Sequence, residues 1–273
     1  MRRISKQCIF LIVSIVLLPI LSQGQNGPGG IGETDGSGSL TIWLQSDKNI
    51  SYNTNDKVSQ WLDNSGYDFP FSGSASLPNY IQNARNGLPA IGFGDPEMGL
   101  ERINADLGAI FSGGSNTLIF VKKSTSGTSW FNPANINLRF DHNPSNLAEF
   151  QYGSGTVTGV TNITDYHIVT GLKTNSYQRI YVDGQREVNA SNSASLSLGT
   201  ENIYLGTQDG SQTNGWQGQI SEVIVFKQDL DTTARLIVDN YLAAKYDLAL
   251  PGVGYDKYQG DQSGKGDFDF DVA

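Results

Sequence analysis

Cysteine is almost missing from this 273-residue chain, and the single one, Cys8, lies inside an apolar N-terminal run. No disulfide or thiolate metal site can therefore be built further along, and the fold must be held by core burial. Histidine is nearly as scarce: His142 and His167 share no metal-ligand spacing. Basic side chains are outnumbered, 18 Lys and Arg against 27 Asp and Glu, for a formal charge of −9. That balance argues against nucleic acid and anionic lipid, whose phosphates require clustered cations, and it tolerates neutral glycans and divalent cations. Gly-x-x-x-x-Gly-Lys-Ser/Thr and Gly-x-Ser-x-Gly do not occur, so nucleotide binding and serine hydrolysis find no support. Beyond residue 21 no apolar run is long enough for a transmembrane segment.

What is present begins with an export signal. Arg2, Arg3 and Lys6 precede an apolar run from Cys8 to Leu21, and Ser22-Gln23-Gly24 supplies small residues for cleavage before Gln25. The expectation is a signal peptide over 1–24 and a secreted or cell-surface product; Cys8 sits too early in the run to carry a lipid. Residues 25–39 are Gly-rich and read as a flexible linker.

From Leu40 onward, short apolar runs alternate with Gly, Asn, Asp, Ser and Pro clusters. The runs predict strands at Ser39–Leu44, Ala90–Phe93, Thr117–Lys122, Asn137–Phe140, Ala148–Tyr152, Tyr166–Leu172, Gln178–Val182, Asn202–Leu205 and Gln219–Phe226. Asp183-Gly184 suits a type I′ hairpin turn leading to a further strand at Gln185–Val188. One helix is expected over Thr232–Tyr246, capped by Asp231, with Ile237, Tyr241 and Ala244 toward the sandwich and Pro251-Gly252 ending it. The class is all-β: a two-sheet antiparallel sandwich with one C-terminal helix packed on it. Residues 251–273 read as the start of a following segment. Asp267-Phe268-Asp269-Phe270-Asp271 lacks the small residues, Gly and distal Glu of a calcium loop, and its alternation with Val272 resembles a strand. No cofactor is called for, and neither calcium nor any other metal is fixed by a residue set.

An ordered series of motifs spans 40–250: Leu40-Thr41-Ile42-Trp43-Leu44, Trp61-Leu62-Asp63-Asn64-Ser65-Gly66, Asn86-Gly87-Leu88-Pro89-Ala90-Ile91-Gly92-Phe93, Ile180-Tyr181-Val182-Asp183-Gly184, Tyr204-Leu205-Gly206, Gly215-Trp216-Gln217-Gly218-Gln219-Ile220 and Asn240-Tyr241-Leu242-Ala243-Ala244-Lys245-Tyr246. In that order they resemble the laminin-G-like, concanavalin A-like jelly-roll domains of secreted Bacteroidota surface proteins. The resemblance implies a jelly roll and leaves the ligand open, because this superfold hosts binding, adhesive, structural and catalytic members.

Jelly-roll glycanases carry Glu-x-Asp-x-x-Glu, or a near variant, on one strand. None of the seven glutamates here begins such a run, so no catalytic residue is assigned. Trp61, Tyr80 and Phe93 read as core, His167 as a strand residue, and Glu222 as a structural hydrogen bond or ion pair on the face of Ile220 and Ile224. Trp130, between a Ser/Thr/Gly stretch and Asn132-Pro133, reads as a surface loop aromatic able to stack on a sugar, or as a loop anchor packed on the sandwich. Asp141, His142 and Tyr152, with Tyr67, are the companions proposed for a ligand site. The expected function is a non-enzymatic binding or adhesion module for extracellular glycans or surface proteins. A ligand-free spacer and a polysaccharide hydrolase or lyase are the alternatives.

Overall fold

A computed structural model describes residues 26–251 apart from 75, 95–96, 128 and 208–214. The expected leader over 1–24 and the acidic tail after Pro251 lie outside the described residues.

The strands of the first half are β1 (Leu40–Gln45), β2 (Ile50–Tyr52), β3 (Val58–Trp61), β4 (Phe71–Gly73), β5 (Asn79–Arg85), β6 (Leu88–Phe93), β7 (Leu100–Asp106) and β8 (Asn116–Ser126). They continue as β9 (Ser129–Pro133), β10 (Leu138–His142), β11 (Leu147–Tyr152), β12 (Gly155–Asn162), β13 (His167–Lys173), β14 (Tyr177–Val182), β15 (Gln185–Ser191), β16 (Thr200–Leu205) and β17 (Gln217–Phe226). A single turn, α1 (Leu107–Ile110), and a full helix, α2 (Thr232–Tyr246), complete the chain. All pairings between these strands are antiparallel and form two sheets. The first runs β15-β14-β13-β8-β17-β6-β5 with β1 also on β17, and the second β12-β11-β10-β9-β16-β7-β4-β3-β2. The class inferred from sequence is the class observed.

β17 organises the first sheet. Along one side it pairs with β8 over nearly its whole length; along the other, Gly218–Ile220 pair with β6 and Glu222–Phe226 with β1. Alternation then sorts its neighbours into two cores. On β8, Leu118 and Phe120 point into the space between the sheets, and Ile119 and Val121 point to the opposite side. That second side is covered by α2 through Val238, Leu242, Ala243 and Tyr246. The molecule is therefore three layers deep: second sheet, first sheet, helix. Packing between the sheets is close enough that a Cβ at Gly171 on β13 would run into the ring of Phe140 from the facing sheet.

Three expectations are corrected. The β17 register slips relative to β8 between Ile220 and Glu222, so Ile220 turns into the sandwich and Glu222 toward the helix, sharing a face with Ile224 alone. There Glu222 is fully buried and accepts from Trp43 Nε1 at 2.7 Å, Tyr246 Oη at 2.8 Å and Lys245 Nζ at 2.9 Å, the structural role inferred for it. On α2 the fully sandwich-facing set is Val238, Leu242, Ala243 and Tyr246. Tyr241 reaches the sheet as expected, packing on this core and accepting from Gln45 Nε2 at 3.3 Å while also lying under Gly29 of the N-terminal segment, whereas Ile237 lies beneath Gly29 and Ala244 is exposed. That segment is no free linker: Pro28 is buried, Tyr67 donates to the Gly38 carbonyl at 2.7 Å, and Lys227 N–H to that of Ser39 at 2.8 Å. Of the expected core aromatics, Trp61 and Phe93 are interior, while Tyr80 is half-buried. His167 is structural as expected, its Nδ1 lying 2.6 Å from Asp183 Oδ2, and Asp183 and Gly184 both take the positive φ of the hairpin turn.

Candidate functional site

Of the four residues proposed from sequence, Trp130, Asp141 and His142 lie near one another on β9 and the end of β10, while Tyr152 lies opposite Leu138 at the other end of β10; all but Asp141 point into the sandwich. β10 sends Leu138, Phe140 and His142 inward and Arg139 and Asp141 outward, and β11 sends Ala148, Phe150 and Tyr152 inward and Glu149 and Gln151 outward. Trp130 is fully buried on β9, not exposed on a loop. The β9–β10 register slips there, with Phe140 opposite Phe131 and Asp141 opposite Ser129, which lets Trp130 and Phe131 both enter the core. Pro133 concealed this strand in the sequence, yet it sits at the last position of β9, where a missing N–H is tolerated.

Around Trp130 lies a buried cluster that includes two titratable side chains. Lys122 is fully buried, its Nζ 3.7 Å from the Trp130 ring centroid and 5.4 Å from that of Trp216, and it donates to Ser124 Oγ. Burial holds this amine well below the ordinary lysine value. His142 lies near-parallel to Trp130 at 6.4 Å; burial first and the Lys122 charge second push it down to about 4. Trp130 Nε1 and His142 Nδ1 have no hydrogen-bond partner among the described residues. Tyr152 is likewise interior, its hydroxyl receiving Asn116 Nδ2 at 2.7 Å and reaching the Ser112 carbonyl at 3.0 Å. Alternation along β10 is the signal that His142 faces inward with Leu138 and Phe140, whereas β8 is apolar on both faces from Leu118 to Val121 and so gives no such signal for Lys122.

Asp141 alone of the four faces out, on the surface of the second sheet. It pairs with Arg139, lies opposite Ser129 and Glu149, and is raised above the ordinary carboxylate range mainly by burial, against the pull of Arg139. Its Oδ1 has no partner among the described residues. Neighbouring outward residues are Gln151 and Thr156 beside Arg139, and Thr158, whose hydroxyl donates to Glu149 at 3.2 Å.

The same face carries a feature that only the register reveals. Ser51 on β2 lies opposite Gln60 on β3, Gln60 opposite Ser72 on β4, Ser72 opposite Glu101 on β7, Glu101 opposite Tyr204 on β16, and Tyr204 opposite Asn132 on β9. Each alternates with core residues such as Trp61, Phe71, Leu100 and Leu205, so the row faces away from the core. Six strands at roughly 4.8 Å spacing make a polar track about 24 Å long across the sheet. Hydroxyl, amide and carboxylate groups on such a track can donate to and accept from a chain of hydroxyls. No helix among the described residues packs on this face, whereas α2 covers the outer face of the other sheet. The described residues also contain no helix long and apolar enough to cross a membrane.

No family model matches this sequence, and no curated protein matches it. Its fold, by contrast, is widely shared among solved structures. Domain 4 of a GH43 extracellular arabinanase from Geobacillus stearothermophilus, solved with arabinotriose, superposes with a TM-score of 0.50 at 15% identity, over 74% of this chain and 97% of that domain. A Trypanosoma rangeli sialidase mutant displaying trans-sialidase activity gives 0.55 at 13%, and the binding domain of botulinum neurotoxin serotype D/C gives 0.55 at 14%. This chain spans 33% of the sialidase and 52% of the toxin domain, so it matches one portion of each. At these identities the likeness is one of fold: a β-sandwich that recurs in binding domains and in glycoside hydrolases.

Proposed function

We propose that this chain is a non-enzymatic carbohydrate-binding module of the laminin-G-like kind, exported by its N-terminal leader and acting at the cell surface or beyond it. The observation that carries the proposal is the uninterrupted polar row Ser51–Gln60–Ser72–Glu101–Tyr204–Asn132 on the sheet face that no described helix covers. The likeness in fold to an arabinanase domain solved with arabinotriose supports a glycan as the occupant. Asp141 belongs to this face, but its Oδ1 is buried, so it supports the face rather than meeting a ligand directly. Trp130, His142 and Tyr152 serve it from behind by fixing β9, β10 and β11 in register. The chain's acidity favours neutral over anionic polymers. Sugar hydroxyls met by side chains that water otherwise solvates give weak binding, micromolar to millimolar, made useful by repetition in a longer protein. A glycan array followed by titration calorimetry tests this. Binding of neutral oligosaccharides, weakened by the double change Asn132→Ala with Gln60→Ala, is the expected result; no glycan bound at all would sink it.

One observation favours a second reading. Asp141 and Glu149 are directly opposed on adjacent strands, and cross-strand neighbours lie about 5 Å apart, a separation suited to a retaining glycosidase. Asp141 is, however, engaged by Arg139, and Glu149 accepts from Thr158. Release of reducing ends from a polysaccharide, abolished by Asp141→Asn and by Glu149→Gln, would establish catalysis in place of simple binding.

A further inference from the structure

Aromatic side chains on the polar row are limited to Tyr204, which is only 7% exposed, so the track by itself offers little ring surface for a sugar to stack on. The most exposed aromatic among the described residues is elsewhere. Tyr52, 45% exposed, ends β2, the edge strand of the second sheet, directly after Ser51 at the end of the row. Its ring lies on that of Tyr80 with centroids 4.2 Å apart and planes within 9°. Tyr80 belongs to β5, the edge strand of the first sheet, and packs on the core from a half-buried position. The edges of both sheets therefore meet at this stack. One face of Tyr52 is fixed against Tyr80, and the opposite face is the one left to solvent.

The loop beside the stack is polar and internally hydrogen-bonded. Asn53 Oδ1 accepts from Asn55 N–H at 2.9 Å and Lys57 N–H at 3.1 Å, and the Asp56 carbonyl accepts from Tyr80 N–H at 2.6 Å. Lys57 Nζ donates to Asn79 Oδ1 at 2.7 Å, lacing the loop to β5. Asp56 holds a positive φ, and its carboxylate and the Asn55 amide are exposed beside the rings. Burial first, then Tyr52, Asp47 and Asp56, hold the Tyr80 phenol above its ordinary value, which places both carboxylates within electrostatic reach of the stack. Asp47 is occupied by Lys245 at 2.9 Å, so Asp56 and Asn55 are the groups available to a ligand.

We infer that Tyr52, backed by Tyr80 and flanked by Asn55 and Asp56, is a stacking subsite for one ring of a neutral saccharide at the rim where the two sheet edges meet, beside the end of the polar row and on the other side of β2 from Ser51. The inference rests on the carbohydrate-binding reading of the row and adds where the ring surface comes from. A pyranose or furanose presents an apolar C–H face to Tyr52 and edge hydroxyls to Asn55 and Asp56. Pre-stacking removes the entropy of ordering Tyr52 on binding, which a lone surface tyrosine would have to supply.

The test uses the described domain with its N-terminal segment, and arabinan, xylan and β-glucan oligosaccharides of three to six residues as probes. Titration calorimetry on wild type, Tyr52→Ala, Tyr52→Phe and Asn132→Ala with Gln60→Ala is combined with amide shift mapping by NMR and a melting curve for each variant. The expected pattern is binding about tenfold weaker in Tyr52→Ala, retained in Tyr52→Phe, with ligand-induced shifts at Asn53–Lys57. Unchanged affinity in Tyr52→Ala, whether or not its melting temperature falls, makes the stack a seam between sheet edges and overturns the subsite. If the row variant loses binding in that case, the module reading survives without the subsite. If wild type binds none of the probes, both fall together.

Discussion

Lys122 is the residue whose placement has the sharpest physical consequence. A fully buried amine with a hydroxyl and two indole faces for company is kept neutral over pH values where the unfolded chain is protonated. Below about pH 10.4 the unfolded state thus binds the extra proton, and stability falls as pH is lowered until the depressed folded pKa is reached. Lys122→Met removes that linkage. The stability gap between variant and wild type should widen as pH drops from 9 to 6, by as much as about 1.4 kcal/mol per unit while the folded amine stays neutral. Denaturant melts across that range check it, and a gap independent of pH would mean Lys122 is charged in the fold. His142 adds a loss on the acid side, since its unfolded value of 6.5 stands above a folded value of about 4; His142→Gln should recover about 3 kcal/mol of pH dependence in that window. Trp130 was legible as an aromatic packed on the sandwich but not as part of a strand, because Pro133 and the Ser/Thr/Gly run before it mimic a loop. Its interior position predicts that Trp130→Ala lowers stability by about 3–5 kcal/mol, with any loss of binding following from that. An unaltered chemical melt would return Trp130 to the surface.

At the scale of elements, legibility followed length and regularity. Runs such as Gln219–Phe226 and Tyr166–Leu172 are apolar on both faces because the first sheet is buried on both, by the second sheet and by α2, and such strands announce themselves. Short polar strands did not: β2, β4 and β12 each have one face in solvent and at most one fully apolar inward position per turn of the pattern. Five of the six strands that carry the polar row, β2, β3, β4, β7 and β9, are absent from the strands expected from sequence, so the candidate face was invisible without their register. Helix α2 was readable in its extent and its Asp231 cap, whose Oδ1 receives Ala234 N–H at 2.8 Å, but not in its orientation. Two surfaces compete for its apolar positions, the sheet and the segment at Pro28–Gly30, and periodicity alone does not rank them. The observed face predicts that Leu242→Ala costs about 3 kcal/mol while Ala244→Ser stays within about 0.5 kcal/mol. Guanidinium melts of the two variants decide the matter, and equal effects would mean the helix is turned the other way.

For the molecule as a whole, the two ends of the described chain close on each other. β1 pairs with β17 across some 180 positions of sequence, and the Gly-rich stretch before β1 continues onto α2, where a Cβ at Gly29 would lie 3.0 Å from Ile237 and 3.1 Å from the Tyr241 Cβ. Such non-local pairing is slow to form and holds the fold only once both ends are in place. The polar row depends on that closure, since its members span Ser51 to Tyr204 and its strands keep register by packing on the first sheet. A chain beginning at Ser39 would lose the buried Pro28, the half-buried Ile31 and the Tyr67–Gly38 hydrogen bond, about 2 kcal/mol taken together. It would also leave Ile237 and Tyr241 uncovered on the helix. The expected outcome is a lower melting temperature than that of the chain beginning at Asn26, with increased binding of a hydrophobic dye and an unchanged far-ultraviolet spectrum. Identical melts for the two chains would show that residues 26–38 merely lie along the surface, as a composition so rich in glycine led one to expect.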